Sequence, residues 1–329
     1  MSGIKLSGLV PSIDAAAVGD FALPFQLDTL AVRGRLIRLN DGLDGALRAH
    51  DYPASVAAQL GEAMVLASTL ASSIKYDGIF TLQVRGNGPI HLVVADITTD
   101  GTLRGYAQYN AAQLRQALAQ APTESGAVLP ENPVPHLLGA GSLAFTVDQG
   151  PDTERYQAVV ALEGATLAEC AHHYFRQSEQ LKTTIKIAVE RDRAGRWMGG
   201  GLLLQKLPDD LTPDGYDRGA EDEEEDRWRR AVVLMATATA TELVDSGLPA
   251  TRLLFRLFHE DGVRVFEPRG LRRGCRCSRA RIERVLRSFS AAELADLKAD
   301  SGAFEVTCEF CCARYSFSDA DLAGPIEAG

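Results

Sequence analysis

Phe80-Thr81-Leu82-Gln83-Val84-Arg85-Gly86-Asn87-Gly88-Pro89-Ile90 is the stretch from which the fold of this 329-residue chain can be read. Phe80, Leu82 and Val84 alternate with Thr81, Gln83 and Arg85. That period of two marks a half-buried strand, because successive side chains point to opposite faces. Gly86-Asn87-Gly88-Pro89 turns the chain, and residues 90–95 read as a second strand. Thr99-Asp100-Gly101 turns it again before a strand over 103–109, and Leu143, Phe145 and Val147 repeat the alternation. Connections this short join antiparallel neighbours, since parallel strands need a crossover of a dozen or more residues. A largely antiparallel sheet is expected.

Helices should cover one face of it, giving an α+β fold. Val56, Leu60, Ala63, Ala67, Leu70 and Ile74 form one apolar stripe and predict a helix over 54–75. Thr166 and Glu169 read as a capping box that opens another, with Leu167, Cys170, Ala171 and Tyr174 on its inner side. Cys170 is thus a core thiol. His172 and His173 are adjacent, do not share a helix face, and take no metal or catalytic role. Gly86, Gly88 and the run Gly199-Gly200-Gly201 lack the lysine and the strand-to-helix context of a phosphate loop, so turns and close packing explain them. With no HExxH spacing and no specific nucleophile triad, the chain is not expected to be an enzyme.

An apolar fraction of 46% is ample for burial, and the length suggests two or three domains. A net charge of −10 argues against a general nucleic-acid binder, which needs a basic surface to neutralise phosphates. Residues 1–20 have Lys5 as their only positive residue, and Pro11 and Asp14 interrupt the apolar stretch, which does not suit a signal peptide. No uninterrupted apolar run approaches the roughly 18 residues of a membrane helix, so no membrane partner and a cytoplasmic location are expected. Between 209 and 226 stand ten acidic residues and one basic residue, Arg218, which reads as a solvated linker. Trp228, Val232, Met235 and Thr239 follow at near-helical spacing, then a dense cluster of Leu253, Leu254, Phe255, Leu257 and Phe258 that needs a surface to cover. The expected division is an N-terminal α/β core at 1–207, an acidic and helical linker at 208–258, and a small C-terminal zinc-binding domain at 259–329.

That last domain carries four of the six cysteines, as Cys275-Arg276-Cys277, thirty intervening residues, and Cys308-Glu309-Phe310-Cys311. Two thiol pairs separated by one small supersecondary unit can close on a tetrahedral zinc ion. Ser290 and Glu293 should cap a short helix containing Leu294 and Leu297 and ended by Gly302. Phe304 and Val306 before the second pair, with Tyr315 and Phe317 after it, suggest a hairpin whose tip carries Cys308 and Cys311. Eight arginines at 269, 272, 273, 276, 279, 281, 284 and 287 face one acid, Glu283, and their field should favour thiolates. A disulfide within Cys-X-Cys closes a small, easily reduced ring, and Cys308 with Cys311 a more relaxed one. Spacing alone leaves open a permanently structural zinc, a nucleic-acid-binding zinc module and a redox switch.

The strings Cys-Arg-Cys-Ser-Arg at 275–279 and Val-Thr-Cys-Glu-Phe-Cys at 306–311, followed by Tyr315 and Phe317, resemble the zinc signature of the 33 kDa chaperonins, redox-regulated bacterial heat-shock holdases. Tyr174-Phe175-Arg176-Gln177-Ser178-Glu179-Gln180 and Gly199-Gly200-Gly201-Leu202-Leu203-Leu204-Gln205 are similar to two further family strings. His50-Asp51-Tyr52-Pro53, residues 83–89 and Arg155-Tyr156-Gln157 add weaker matches. The resemblance implies an α/β core, a helical linker wrapped on it, and a switch domain binding one zinc per chain through Cys275, Cys277, Cys308 and Cys311. It implies a reduced, inactive state. Oxidation with unfolding stress would form the disulfides Cys275–Cys277 and Cys308–Cys311, release zinc, unfold switch and linker, and expose a surface for unfolded clients. Trp228, Val232, Met235, Leu254, Phe255 and Phe258 are the candidates for that surface. ATP-independent holding and a homodimer in the active form are also implied. Cys312 stands where the family commonly has glycine, the acidic stretch looks longer than the usual linker, and residues 1–20 have no clear counterpart. The competing reading is a static zinc-ribbon adaptor for nucleic acid or protein, with 269–287 as its contact face.

Overall fold

The strands are β1 (Ile4–Lys5), β2 (Asp20–Leu27), β3 (Val32–Leu39), β4 (Ile79–Gly86), β5 (Ile90–Thr98), β6 (Thr102–Tyr109), β7 (Gly141–Asp148) and β8 (Tyr156–Ala161), with apolar residues alternating clearly in β4 and β7. They continue in β9 (Thr183–Arg191), β10 (Trp197–Lys206), β11 (Val263–Val265), β12 (Arg269–Arg273), β13 (Phe304–Thr307) and β14 (Arg314–Phe317). The helices are α1 (Asp41–Arg48), α2 (Ala54–Ala71), α3 (Ala111–Gln120), α4 (Leu167–Ser178), α5 (Glu221–Ala236), α6 (Ala240–Val244), α7 (Ala250–Phe258), α8 (Arg279–Leu286), α9 (Ala291–Asp296) and α10 (Asp319–Leu322). This computed structural model describes residues 4–5, 19–120, 128–150, 153–178, 182–207, 221–298 and 302–322. Contacts divide the chain into two compact units, Met1–Arg273 and Gly274–Gly329.

The first unit holds one large sheet in the order β8-β7-β4-β5-β6-β12-β2-β3-β10-β9, with β11 pairing β1 and β2. The expected meander is present: Leu82 of β4 stands opposite Ala95 of β5 and Phe145 of β7, both antiparallel. Among the described pairings only β12 against β6 is parallel.

Alternate residues of the central strands feed two separate cores. Ile37, Leu39 and Leu203 turn to the face covered by α1, α2 and α4, where Val56, Leu60, Ala63 and Cys170 also lie. Leu23, Phe25, Leu36 and Leu204 turn to the opposite face, covered by α5, α6 and α7. The glycine run in β10 follows from this double cover, because a Cβ on Gly200 would overlap the backbone carbonyl of Leu243 in α6. Helix α2 has the length and apolarity of a membrane span, with hydropathy 1.3, yet 89% of it is buried inside the fold. It is the central core helix.

Four expectations change. Residues 259–273, expected in the C-terminal module, hydrogen-bond into the first unit's sheet, with Val263 opposite Leu27 and Gly270 opposite Phe21. Their apolar side chains Val263, Val265 and Leu271 find their burial there. The helix expected over 54–75 stops at Ala71, where Ser72 and Ser73 turn their hydroxyls onto the Thr69 and Leu70 carbonyls, and Ile74 is exposed. Residues 221–226 are the first turns of α5, not a solvated linker. Acidic side chains suit a helix N-terminus, and Glu224 and Glu225 pair with Lys206 and Lys182 of the sheet. The rest of the acidic stretch, 209–220, lies outside the described residues. Thr239 does not extend the α5 stripe; it caps α6 in a box with Glu242. At α4, Thr166 accepts from the Glu169 N–H as expected, while the Glu169 carboxylate takes the N–H of Ala165 instead of closing on Thr166.

Candidate metal centre and the linker face

In the second unit the hairpin forms as the apolar pattern requires, with Phe304 opposite Phe317 and Val306 opposite Tyr315. Its turn is tied by Cys308 N–H to the Ala313 carbonyl at 2.9 Å and Cys312 N–H to the Cys308 carbonyl at 2.8 Å. Cys312 has φ 59°, the left-handed region that glycine occupies without strain. On the other side, Ser278 caps α8 by accepting from the Arg281 N–H at 3.2 Å, which fixes the chain just beyond Cys277. Ser290 and Glu293 form the expected box at α9.

These local structures bring the sulfurs of Cys275, Cys277, Cys308 and Cys311 all within 4.8 Å of one another. Cys275 lies 3.7 Å from Cys308, and Cys277 lies 3.4 Å from Cys311. A tetrahedral ion with metal–sulfur bonds of about 2.3 Å sets sulfur–sulfur edges of about 3.8 Å. The spacing therefore fits a single thiophilic divalent cation. The apolar core beside it consists of Leu286, Phe304 and Phe317, with five partly buried residues packed around them.

Burial raises the Cys277 thiol above its ordinary value and pushes Cys311 up to about 12. Three hydrogen bonds oppose this: the Tyr315 hydroxyl donates to the Cys277 sulfur at 3.1 Å, the Cys311 sulfur also acts on Cys277, and the Ala313 backbone acts on Cys311. The expected arginine field does not override burial, and four of the eight arginines are engaged away from the sulfurs. Arg269 donates to the Thr99 carbonyl and Arg272 pairs with Asp100. Arg279 bonds the Ser316 carbonyl and Asp321 and lies over the Phe317 ring, and Arg287 pairs with Glu283. Four sulfurs held this close carry full thiolate charge only with a cation among them. Tyr315 was legible as a strand residue; its hydroxyl contact with a ligand sulfur was not.

The candidate client residues gather on the α5–α7 face of the first unit. Met235, Leu254 and Phe258 are fully covered, Trp228 and Phe255 pack at the margin of the same core, and Val232 is half-buried. Phe258 stacks on Phe25 of β2 with ring centroids 6.0 Å apart. Polar ties hold the same helices. Arg38 of β3, only 2% exposed, donates to the Glu242 carbonyl at 2.9 Å and to the Asp245 carbonyl, capping the end of α6. Burial lowers its pKa to about 10. Arg230 bonds Asp261 at 2.9 Å, and Arg256 bonds Glu242 at 2.8 Å. Sequence reasoning missed Arg38, whose one signal was a charge inside the apolar run Leu36-Ile37-Arg38-Leu39. Cys170 is a core thiol as expected, fully buried and pushed up to about 11 by that burial.

Comparison with known proteins accounts for this combination of sheet, covering helices and thiol cluster. The family model described as Hsp33 protein matches residues 20–318. A 33 kDa chaperonin of Caulobacter vibrioides is 40% identical over 305 residues, covering 92% of this chain and 96% of its own. One of Pseudomonas fluorescens is 36% identical over 305 residues, covering 92% of each. The crystal structure of a 33 kDa chaperonin from Thermotoga maritima superposes with a TM-score of 0.74 at 25% identity, covering 92% of this chain and 96% of that one. Matched in sequence and in fold over nearly its whole length, the chain belongs to the Hsp33 family of chaperones.

Proposed function

We propose that this chaperone is a redox-regulated, ATP-independent holdase that binds unfolding proteins during oxidative stress in the cytoplasm. The observation that carries the reading is a quartet of thiols within 4.8 Å of one another in a unit whose buried apolar core is Leu286, Phe304 and Phe317. Cys275, Cys277, Cys308 and Cys311 hold one zinc per chain, which supplies the positive charge that lets four thiolates stand together and so staples the unit.

Oxidation by a peroxide removes two electrons from each pair. Cys275 bonds to Cys277 and Cys308 to Cys311, and for each pair the two thiolates pass their electrons to the peroxide O–O bond, which breaks into two hydroxides that take protons from the solvent. The sulfurs are then spent as ligands, and a unit with so small a core cannot stay folded on burial alone. In this reading the chain works as a core of 1–207 to which 259–273 add strands, a linker of 208–258 and a switch of 274–329, and loss of the switch spreads along the chain to the linker. Uncovering α5 and α7 exposes Trp228, Val232, Met235, Leu254, Phe255 and Phe258 together with the sheet face beneath them, an apolar patch of the kind that captures unfolded chains. The active form is a homodimer, and no catalytic turnover is involved.

The test is peroxide treatment at raised temperature, with zinc release followed by a chromogenic chelator and light scattering of an unfolding client recorded in parallel. Zinc loss should coincide with new suppression of aggregation. Retained zinc, or loss with no gain in suppression, would sink the proposal in favour of a static zinc adaptor. Arg272, Arg279 and Arg287 speak against that adaptor, since each is paired with an acid of its own chain.

A further inference from the structure

A cavity of about 260 Å³ opens in the first unit where β12 is inserted between β2 and β6. Its wall is built from the end of α2 and Tyr76, from the turn between β5 and β6, and from the first three residues of β12. Part of this wall is apolar: the Tyr76 ring, Ile97 and Leu271. The rest is mostly hydroxyls and backbone, with one cation, Arg269, and one acid, Asp100. Arg269 lines the cavity and donates to the Thr99 carbonyl at 2.9 Å. Arg35 stands behind Ser72, donating to its carbonyl at 2.7 Å and to the Gly34 carbonyl at 2.8 Å. These two guanidinium groups bond neutral carbonyls and form no ion pair among the described residues. Burial, with the charges of Arg33 and Arg269 nearby, lowers Arg35 to about 10.

The one acid in the wall does not cancel this charge. Asp100 accepts from the Thr98 and Thr102 hydroxyls and pairs with Arg272, which holds it down at about 2. An exposed guanidinium at the rim, with a second behind the wall, beside an apolar surface favours an amphipathic anion, because guanidinium binds oxyanions through paired, charge-assisted hydrogen bonds. The geometry points to a binding site for a small organic oxyanion of the phosphate-monoester class, its head toward Arg269 and Arg35 and its body against Tyr76, Ile97 and Leu271.

The site exists only while β12 is docked. Gly101 and Gly270 meet backbone to backbone at its floor, where a Cβ on Gly101 would overlap the Gly270 carbonyl, and the Arg272 N–H donates to the Gly101 carbonyl at 3.0 Å. A ligand that binds this docked arrangement alone favours it by a factor of about one hundred at a hundred times its Kd. Because β12 ends at Arg273, two residues before Cys275, such a ligand is a latch on the strand that joins the two units. Ligand binding stands by itself; delay of activation rests on the redox-holdase reading.

The experiment uses the reduced full-length chain with phenyl phosphate as the probe. Calorimetry should show one site per chain, weaker binding of inorganic phosphate, and no binding of phenol. Hydrogen exchange should slow at the amides of 270–273. Arg269→Gln should weaken binding by at least about tenfold, with Arg269→Lys recovering part of it. Absent binding to the wild type, unchanged exchange, or equal binding by Arg269→Gln would overturn the site. Peroxide activation is then timed with and without the probe. Slower activation of the wild type but not of Arg269→Gln supports the latch. Binding with slowed exchange and unchanged activation upholds the pocket and overturns its regulatory role, an outcome distinct from failure of peroxide to activate at all.

Discussion

The two units of this chain are held together by opposite means. In the first, β2, β3 and β10 are covered on both faces, so that neighbouring residues such as Leu36 and Ile37 are both fully buried in different cores. In the second, Leu286, Phe304 and Phe317 are the buried apolar core, and four thiols converge beside them. A fold built on apolar burial is indifferent to oxidant. One built on sulfur ligands is not. On the proposed function the contrast would put chemical sensitivity in the second unit and mechanical reserve in the first, on which helices α5 and α7 pack.

The sharpest way to break the comparison is to remove one ligand. Cys308→Ser should abolish stable metal binding, which for structural zinc amounts to about 10–16 kcal/mol of apparent free energy, and so unfold residues 274–329. Amide exchange should collapse throughout that unit while β4, β5 and α2 stay protected. Protection surviving in α8 and the hairpin would mean that the small core suffices. The next test loosens the linker without touching sulfur. Phe258→Ala removes a fully buried ring stacked on Phe25 and should cost about 3–5 kcal/mol, read as a lower midpoint for the α7 region in denaturant. On the proposed function, this variant suppresses client aggregation while still reduced and zinc-loaded; silence there would separate linker docking from chaperone activity. A smaller effect is expected of Gly200→Ala. Its new methyl group meets the Leu243 carbonyl and should push α6 outward at about 1–3 kcal/mol, visible as faster exchange at 240–244 with the sheet beneath intact.

Legibility followed the same contrast. Strands that bury one face, such as β4 and β7, were visible in the alternation of Phe80, Leu82 and Val84 and of Leu143, Phe145 and Val147, because one face was apolar and the other polar. The doubly covered strands gave no such signal, since Leu202, Leu203 and Leu204 are all buried and a continuous apolar run has no period. The cysteine quartet was plain from spacing, because a group of thiols able to hold a metal ion writes its geometry into local sequence. What stayed hidden depended on distant partners. Residues 263–273 pair with strands that lie more than 150 positions earlier, and nothing near Val263 or Gly270 announces β2. The helical state of 221–226 rested likewise on Lys182 and Lys206, which local charge counting could not weigh.

The smallest expected effect tests how finely the thiol site is tuned. Tyr315 donates to the Cys277 sulfur at 3.1 Å, the one described hydroxyl contact on a member of the quartet. The bond favours the thiolate of Cys277 against the burial that raises it, and the same bond pushes Tyr315 itself up to about 12. Partners of this kind orient a ligand and raise its hold on a metal, so Tyr315→Phe should weaken zinc binding by about tenfold, the low end for such contacts. The ring remains to pack against the hairpin, so the fold of the second unit should persist when zinc is in excess. Under limiting chelator the variant should release zinc first, while its denaturant midpoint in excess zinc matches the wild type. Equal release from both proteins would show that the hydroxyl merely fills space. A fall in the midpoint at saturating zinc would assign Tyr315 to the small core, and the line between the burial-built and the sulfur-built parts of the molecule would then run through the hairpin itself.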